Sequence, residues 1–447
     1  MRATLLGSLA SAAILALTFA VSPNFAWTDG PRAGPYAGDF LHEYVGGWIE
    51  REGDAKNLYD VSYFRAALHD PALTGFTWTE GAFFQALHPP FYYLWVSPLS
   101  RLEYRRAAHL WTALAVGSLL ASLVLLARFD ARVRPGQGGR LESRPMRSER
   151  KPPGAQRGEA ERRSDGMASE GGPLHGLGWA LPASLLYAPV AETLVSGQKG
   201  TFLLLLFTGT YLLLAQRRLF VAGAIFGCVA FKPQLVLVVA LVMLVKREWR
   251  FIAGMAATGA VLAAQSLFVG WDACLAWVAS ILQPLPQHEL TLRAHSWLGF
   301  ARLLTGDDTG PVVLALTLAL VAATLAALFR LLPGPLALGR PRLALQFSAM
   351  VLATPLVSPY LYKTYDLAIL VLPLLLLAGE LRRVDPESIG WRRLLLAALL
   401  LVFLMGGASA AIAARIPLQC SALASFALLW VLSRVPEPPH EPPRERG

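Results

Sequence analysis

Charge is scarce in this sequence. Asp, Glu, Lys and Arg make up 16% of its 447 residues against 55% hydrophobic, and the mean hydropathy is +0.46. That balance excludes an ordinary water-soluble domain and leaves a polytopic membrane protein. Cysteine is scarce too. Cys228, Cys274 and Cys420 are far apart, so they form neither a disulfide framework nor a metal-binding spacing. No HExxH, Walker A or glycine-rich dinucleotide fingerprint occurs, which leaves metal-dependent hydrolysis and ATP-driven pumping without support. Residues 130 to 172 contain no aromatic residue at all and are rich in Arg, Gly, Pro, Ser and Glu, a composition that cannot bury a core and reads as a disordered loop. The net charge of +10 does not point to nucleic acid, because the arginines gather between Arg128 and Arg163 and in short links between apolar runs. There they set topology by the positive-inside rule and place the 129–173 loop in the cytoplasm.

What the chain has in quantity is apolar runs close to the roughly 20 residues a spanning helix needs. The first, residues 4 to 22, follows Arg2 and lacks a convincing small-x-small cleavage site before Trp27, so it reads as an uncleaved first span. The polar stretch after it is too long for a turn and too aromatic for a linker. Within it, Phe40, Leu41, Tyr44, Val45, Trp48 and Ile49 recur at helical spacing beside Glu43, Glu50 and Arg51. This predicts an amphipathic helix suited to lying along a membrane surface. "HPPFYYLWVSPLS" offers only about 12 residues between polar flanks, too few to cross, and reads as a re-entrant or interfacial half-helix. Later spans are expected near 107–127, 177–195, 200–216, 219–231, 234–245, 251–270, 311–330, 343–358, 367–380, 394–414 and 418–433. The expected fold is all-α, with about twelve transmembrane helices and both ends inside. It divides into a first span with its external loop and next span (1–128), the cytoplasmic loop (129–173), the remaining helices (174–434) and a disordered tail (435–447).

Ionisable residues at membrane depth cost several kcal/mol unless water, a partner or a ligand meets them. Four such features gather on the external side: Asp39 with His42 and Glu43, Gln198 with Lys199, Lys232 with Pro233, and Lys363 to Asp366. Asp39, just ahead of the amphipathic helix, suits an N-cap, and equally a base that takes a proton from a hydroxyl. Lys232 precedes a proline that must break its apolar run. It is either a lysine snorkelling from a tight hairpin or a cation in a cavity where broken helices leave backbone groups for a ligand. In "SPYLYKTYD", Tyr360, Tyr362 and Tyr365 suit an interfacial aromatic belt, and Lys363 and Asp366 are spaced to pair across one turn. Functionally, the same lysine and tyrosine hydroxyls suit a phosphate or a sugar. His288, His295 and Ser296 share a long external loop.

The order of these blocks, from the first span through "HPPFYYLWVSPL" and "LVSGQKGTFLLLL" to "AGAIFGCVAFKPQLVLVVALVMLVKREWR", resembles glycosyltransferase family 87. The likeness runs to about Leu377. It implies a GT-C fold related to the polyprenyl-phosphate-mannose-dependent α-1,2-mannosyltransferases, with its active site at the external membrane face. Asp39 is then the catalytic base and Lys232 the partner of the donor phosphate, with Gln198, Lys363, Tyr365, His295 and His42 as further substrate-binding candidates. No metal and no cofactor is expected beyond the lipid-linked donor. The partners are that donor, a lipid or glycan acceptor and the bilayer, not nucleic acid, in the inner (plasma) membrane. The long loop at 130–172 and "YLYKTYD", where relatives often carry histidines, depart from the family pattern. A transporter or flippase for lipid-linked saccharides, and a scaffold in an envelope-assembly complex, are the competing readings. A carrier predicts charges on both sides of the midplane, whereas these lie on one.

Overall fold

The computed structural model describes residues 2–21, 36–75, 86–133, 173–282, 292, 294–339, 342–359, 364–381 and 389–434. Among them all regular structure is helical: α1 (Arg2–Val21), α2 (Gly38–Arg51), α3 (Val61–Leu68), α4 (Pro71–Thr74), α5 (Pro90–Val96), α6 (Tyr104–Val133), α7 (Pro173–Leu186), α8 (Ala188–Ser196), α9 (Gly200–Ala215), α10 (Leu219–Gly227), α11 (Leu237–Val245), α12 (Trp249–Val269), α13 (Trp271–Leu282), α14 (Trp297–Thr305), α15 (Pro311–Arg330), α16 (Arg342–Val357), α17 (Val371–Leu381), α18 (Ile389–Ala413) and α19 (Cys420–Leu432). Five described stretches are long and apolar enough to cross a membrane: Tyr104–Asp130, Trp249–Val269, Pro311–Arg330, Thr364–Leu381 and Ile389–Ala413. Shorter apolar stretches, among them Gly200–Ala215, Leu219–Phe231 and Pro233–Val245, lie between them.

The short stretches place the site. Two tight turns, each with an arginine in the left-handed region, reverse the chain: Arg217 (φ 60) between α9 and α10, and Arg247 (φ 57) between α11 and α12. In each turn a backbone N–H reaches back five residues, from Arg218 to Leu213 O and from Glu248 to Met243 O, closing the helix end. Both turns are basic and so fall on one side of the bundle. The opposite ends of α9, α10 and α11 then converge, which brings Lys199, at the start of α9, to the same level as Lys232, between α10 and α11. At 1.5 Å per residue, the Leu219–Phe231 stretch rises only about 20 Å, against a hydrocarbon core of about 30 Å. The stretch that ends at Lys232 is therefore shorter than a full crossing.

Two expectations are corrected. The apolar face of α2 does not lie on lipid. Phe40, Leu41, Tyr44, Val45 and Ile49 are buried against α5, the 3-10 turn Ser97–Arg101 and α6, because α5 folds back as a seven-residue aromatic helix that covers them. The expected span at 177–195 is interrupted at Tyr187, where the backbone leaves the helix (φ −72, ψ 109) and α8 begins at Ala188 with Pro189 in its first turn. By contrast α5, at seven residues, is far too short to cross, as the sequence predicts.

Candidate active site

The site is built on the entry of α2. Ala37, in the left-handed region (φ 54, ψ 44), stands at the N-cap position, so Asp39 lies inside the first turn and the N-cap reading of Asp39 is set aside. The Tyr104 hydroxyl donates to Tyr36 O at 2.7 Å and lies 3.0 Å from Ala37 O, which fixes this entry against α6. Phe40 then stacks on Trp111, with ring centroids 4.7 Å apart, and the Trp111 indole donates to Gly197 O at 2.7 Å. Gly197, which ends α8, has φ +72. A Cβ there would lie 2.7 Å from the Ala37 Cβ and 2.8 Å from the Phe40 Cβ, so only glycine permits this approach.

The contact delivers the next two side chains onto α2. Asp39 and Glu43 stand one helical turn apart on one face. Gln198 Nε2 donates to Asp39 Oδ2 at 2.8 Å, and the Lys199 ammonium donates to Glu43 Oε1. His88, ahead of α5, adds a third member: its Nε2 lies 3.2 Å from the same Glu43 oxygen and its Nδ1 lies 3.0 Å from Phe231 O. The Tyr92 ring covers His88 at 4.4 Å between centroids, and the Lys199 ammonium sits 5.4 Å above that ring. Burial alone raises the Glu43 carboxyl, but the Lys199 and His88 charges and their hydrogen bonds outweigh it and hold Glu43 well below the usual carboxylate range. For His88, burial and the Lys199 charge outweigh Glu43 and push the imidazole down.

The second half of the site is the break. Cys228–Phe231 and Pro233–Leu235 are 3-10 turns on either side of Lys232, whose backbone (φ −125, ψ 76) is not helical. The Lys232 ammonium pairs with Asp366 and lies 5.0 Å over the Tyr365 ring. Both members of the ion pair are buried. Asp366 and Tyr365 sit on the 3-10 segment Thr364–Leu370, which packs against α8 and α9; Tyr365 O accepts from Thr193 Oγ1 at 3.3 Å. Lys199 lies within electrostatic reach of both Lys232 and Asp39, and Tyr365 within reach of Asp39 and Asp366, so the two halves face one another.

Asp39, Gln198, Lys232 and Tyr365 are thus brought together as the sequence suggests. His42, half-buried, follows Asp39 along α2. His295 is set apart: its Nδ1 contacts Ser421 Oγ at 2.7 Å and its Nε2 contacts Thr364 Oγ1 at 3.2 Å, so it steadies the segment carrying Asp366. Burial pushes this ring down to about 4, leaving it neutral near pH 7. Lys363 and His288 lie outside the described residues; among the described residues Asp366 pairs with Lys232. Sequence reasoning named Glu43 and Lys199 among the external ionisable features without giving them a role, and it left out His88. The signals were present in the four-residue spacing of Asp39 and Glu43 and in the adjacency of Gln198 and Lys199. Among the described residues no three His, Cys, Asp or Glu side chains converge as metal ligands would.

The site thus offers a carboxylate that can accept a proton beside two buried ammonium groups of a kind that can hold an anion. The family model for glycosyltransferase family 87 matches residues 86–359, more than half of the chain. The matched region contains His88, Gln198, Lys199 and Lys232 and leaves Asp39, Glu43 and Asp366 outside it. No curated protein and no solved structure matches the chain.

Proposed function

The chain belongs to glycosyltransferase family 87, and on that premise we propose that it is an inverting hexosyltransferase of the GT-C class. It takes a hexose, with mannose the expected sugar, from a polyprenyl-phosphate donor to a lipid or glycan acceptor at the external face of the inner membrane. The observation that supports this reading is that Asp39 and Lys232, each held by its own partner, both lie within electrostatic reach of Lys199. In the step proposed, an acceptor hydroxyl oxygen bonds to the anomeric carbon from the face opposite the phosphate. Its proton passes to the Asp39 carboxylate. The bond from the anomeric carbon to the phosphate oxygen breaks, and the phosphate leaves with the electron pair, stabilised by the Lys232 ammonium. One carboxylate suffices for inversion. The lipid phosphate leaves as a stable anion, so the proposed mechanism assigns no role to a metal.

Gln198 orients Asp39 by donating to one carboxylate oxygen, and Tyr365 forms the aromatic wall under the Lys232 ammonium. His42, His295 and Lys363 remain substrate-binding proposals. The test is transfer by purified protein in detergent, from a polyprenyl-phosphate hexose to candidate acceptors, comparing wild type with Asp39→Asn. General-base catalysis is worth roughly 10²- to 10⁴-fold, and a loss of that size with donor binding kept is the expected result. Intact transfer by the variant overturns the assignment of the base. Movement of the lipid saccharide across liposomes with no donor consumed replaces the enzyme with a carrier.

A further inference from the structure

His88 touches both halves of the site. Its Nδ1 is 3.0 Å from the carbonyl of Phe231, immediately before Lys232, and its Nε2 is 3.2 Å from the carboxylate of Glu43, one turn beyond Asp39. Both partners are acceptors. A neutral imidazole has one N–H, so it can hold only one of them; an imidazolium holds both. Glu43 cannot readily supply the missing proton, because the Lys199 ammonium already donates to the same oxygen and favours the ionised carboxylate. The groups facing His88 are Glu43 on α2, Lys199 at the start of α9, Lys232 at the break, and the Tyr92 and Tyr93 rings of α5.

We propose that His88 is a positioning residue that ties the Asp39 helix to the Lys232 break only while both its nitrogens are protonated, so that docking of the anionic donor takes up a proton there. The proposal rests on the donor reading above. In the empty site burial disfavours the imidazolium, and Lys199 and Lys232 add to this against the pull of Glu43. A donor phosphate set among Lys232, Lys199 and His88 reverses the balance. The bound state then holds the proton more tightly than the free state, so affinity is highest at low pH and falls as pH rises through the free-state titration of His88, by about tenfold per pH unit where one proton is taken up. A donor phosphodiester keeps its single negative charge over this range, so the titration belongs to the protein.

The experiment is the dissociation constant of a polyprenyl-phosphate hexose for the full-length protein in nanodiscs from pH 5.5 to 8.5, for wild type, His88→Phe and Glu43→Gln, with thermal melts as the folding control. Wild type is expected to show the slope. His88→Phe should bind more weakly at low pH and show no slope. Glu43→Gln removes the charge that favours the imidazolium, so its fall in affinity should begin at lower pH. A wild-type affinity that is flat in pH, or a slope that survives in folded His88→Phe, overturns the coupling and leaves the donor reading standing. No binding by wild type at any pH overturns both.

Discussion

Asp39 and Glu43 are carboxylates one turn apart on the same helix, and the chain gives them different partners. Asp39 receives a neutral amide, which suits the base proposed for it; Glu43 receives an ammonium and an imidazole and is held as an anion. A second contrast concerns Lys232. Removing it alone strands a buried Asp366, and breaking a buried pair from one side costs about 3–5 kcal/mol. Lys232→Met should therefore melt well below wild type, whereas Lys232→Met with Asp366→Leu should recover most of that stability. Donor affinity should not recover: both variants should bind a polyprenyl-phosphate hexose roughly tenfold or more weakly, since a hydrogen bond to a charged group is worth about 1.5–3 kcal/mol. Full affinity in the melt-stable double variant would leave Lys232 as a structural lysine. Lys232 stands out in the sequence because a cation in an apolar run needs a reason. Its partner does not, because Asp366 is 134 residues away and its nearest sequence neighbour of opposite sign, Lys363, offers an easier pairing.

At the scale of elements, the periodicity of α2 is plain in the sequence, and so is the shortness of α5. That α5 roofs α2 is not, because a lipid face and a face covered by an aromatic helix ask for the same residues. The helix joint at Gly197 is equally silent in a single sequence. Gly197→Ala places a methyl 2.7–2.8 Å from the Ala37 and Phe40 Cβ atoms at a positive φ. A cost of about 1–3 kcal/mol is expected, and because Gln198 and Lys199 follow directly, transfer should fall more than the melting temperature suggests. The crossing of α10 and α12 is tighter still: a Cβ on Gly223 would lie 1.9 Å from Phe251 O, and one on Gly254 2.0 Å from Phe220 O. Gly223→Val should lower expression of folded protein, measured by fluorescence-detected size exclusion, while Gly259→Ala, in open space on α12, should not.

For the whole molecule, hydropathy alone identifies a membrane protein, and the five long apolar helices agree with it. The half-length helices do not sort themselves by hydropathy, and it is the two arginine turns that order α9 to α12. That ordering makes a topological prediction. In a chain with Cys228, Cys274 and Cys420 replaced by alanine, a single cysteine at Ser148 should resist an impermeant thiol reagent in intact cells, and one at Asp307, in the exposed turn between α14 and α15, should react. Labelling at Ser148 would reverse the orientation and place the site on the cytoplasmic side.

The pairing of Lys232 with Asp366 also bears on how the protein is made. Translation proceeds from the amino terminus, so the lysine emerges 134 residues before its carboxylate. Glu43 likewise waits 156 residues for Lys199. For that interval each charge must be tolerated without its partner. An uninterrupted span would carry such a lysine into the hydrocarbon, but Pro233 and the short runs on either side let it rest near the aqueous boundary until the Thr364–Leu370 segment arrives. The break that later shapes the site therefore also makes the unfinished chain insertable.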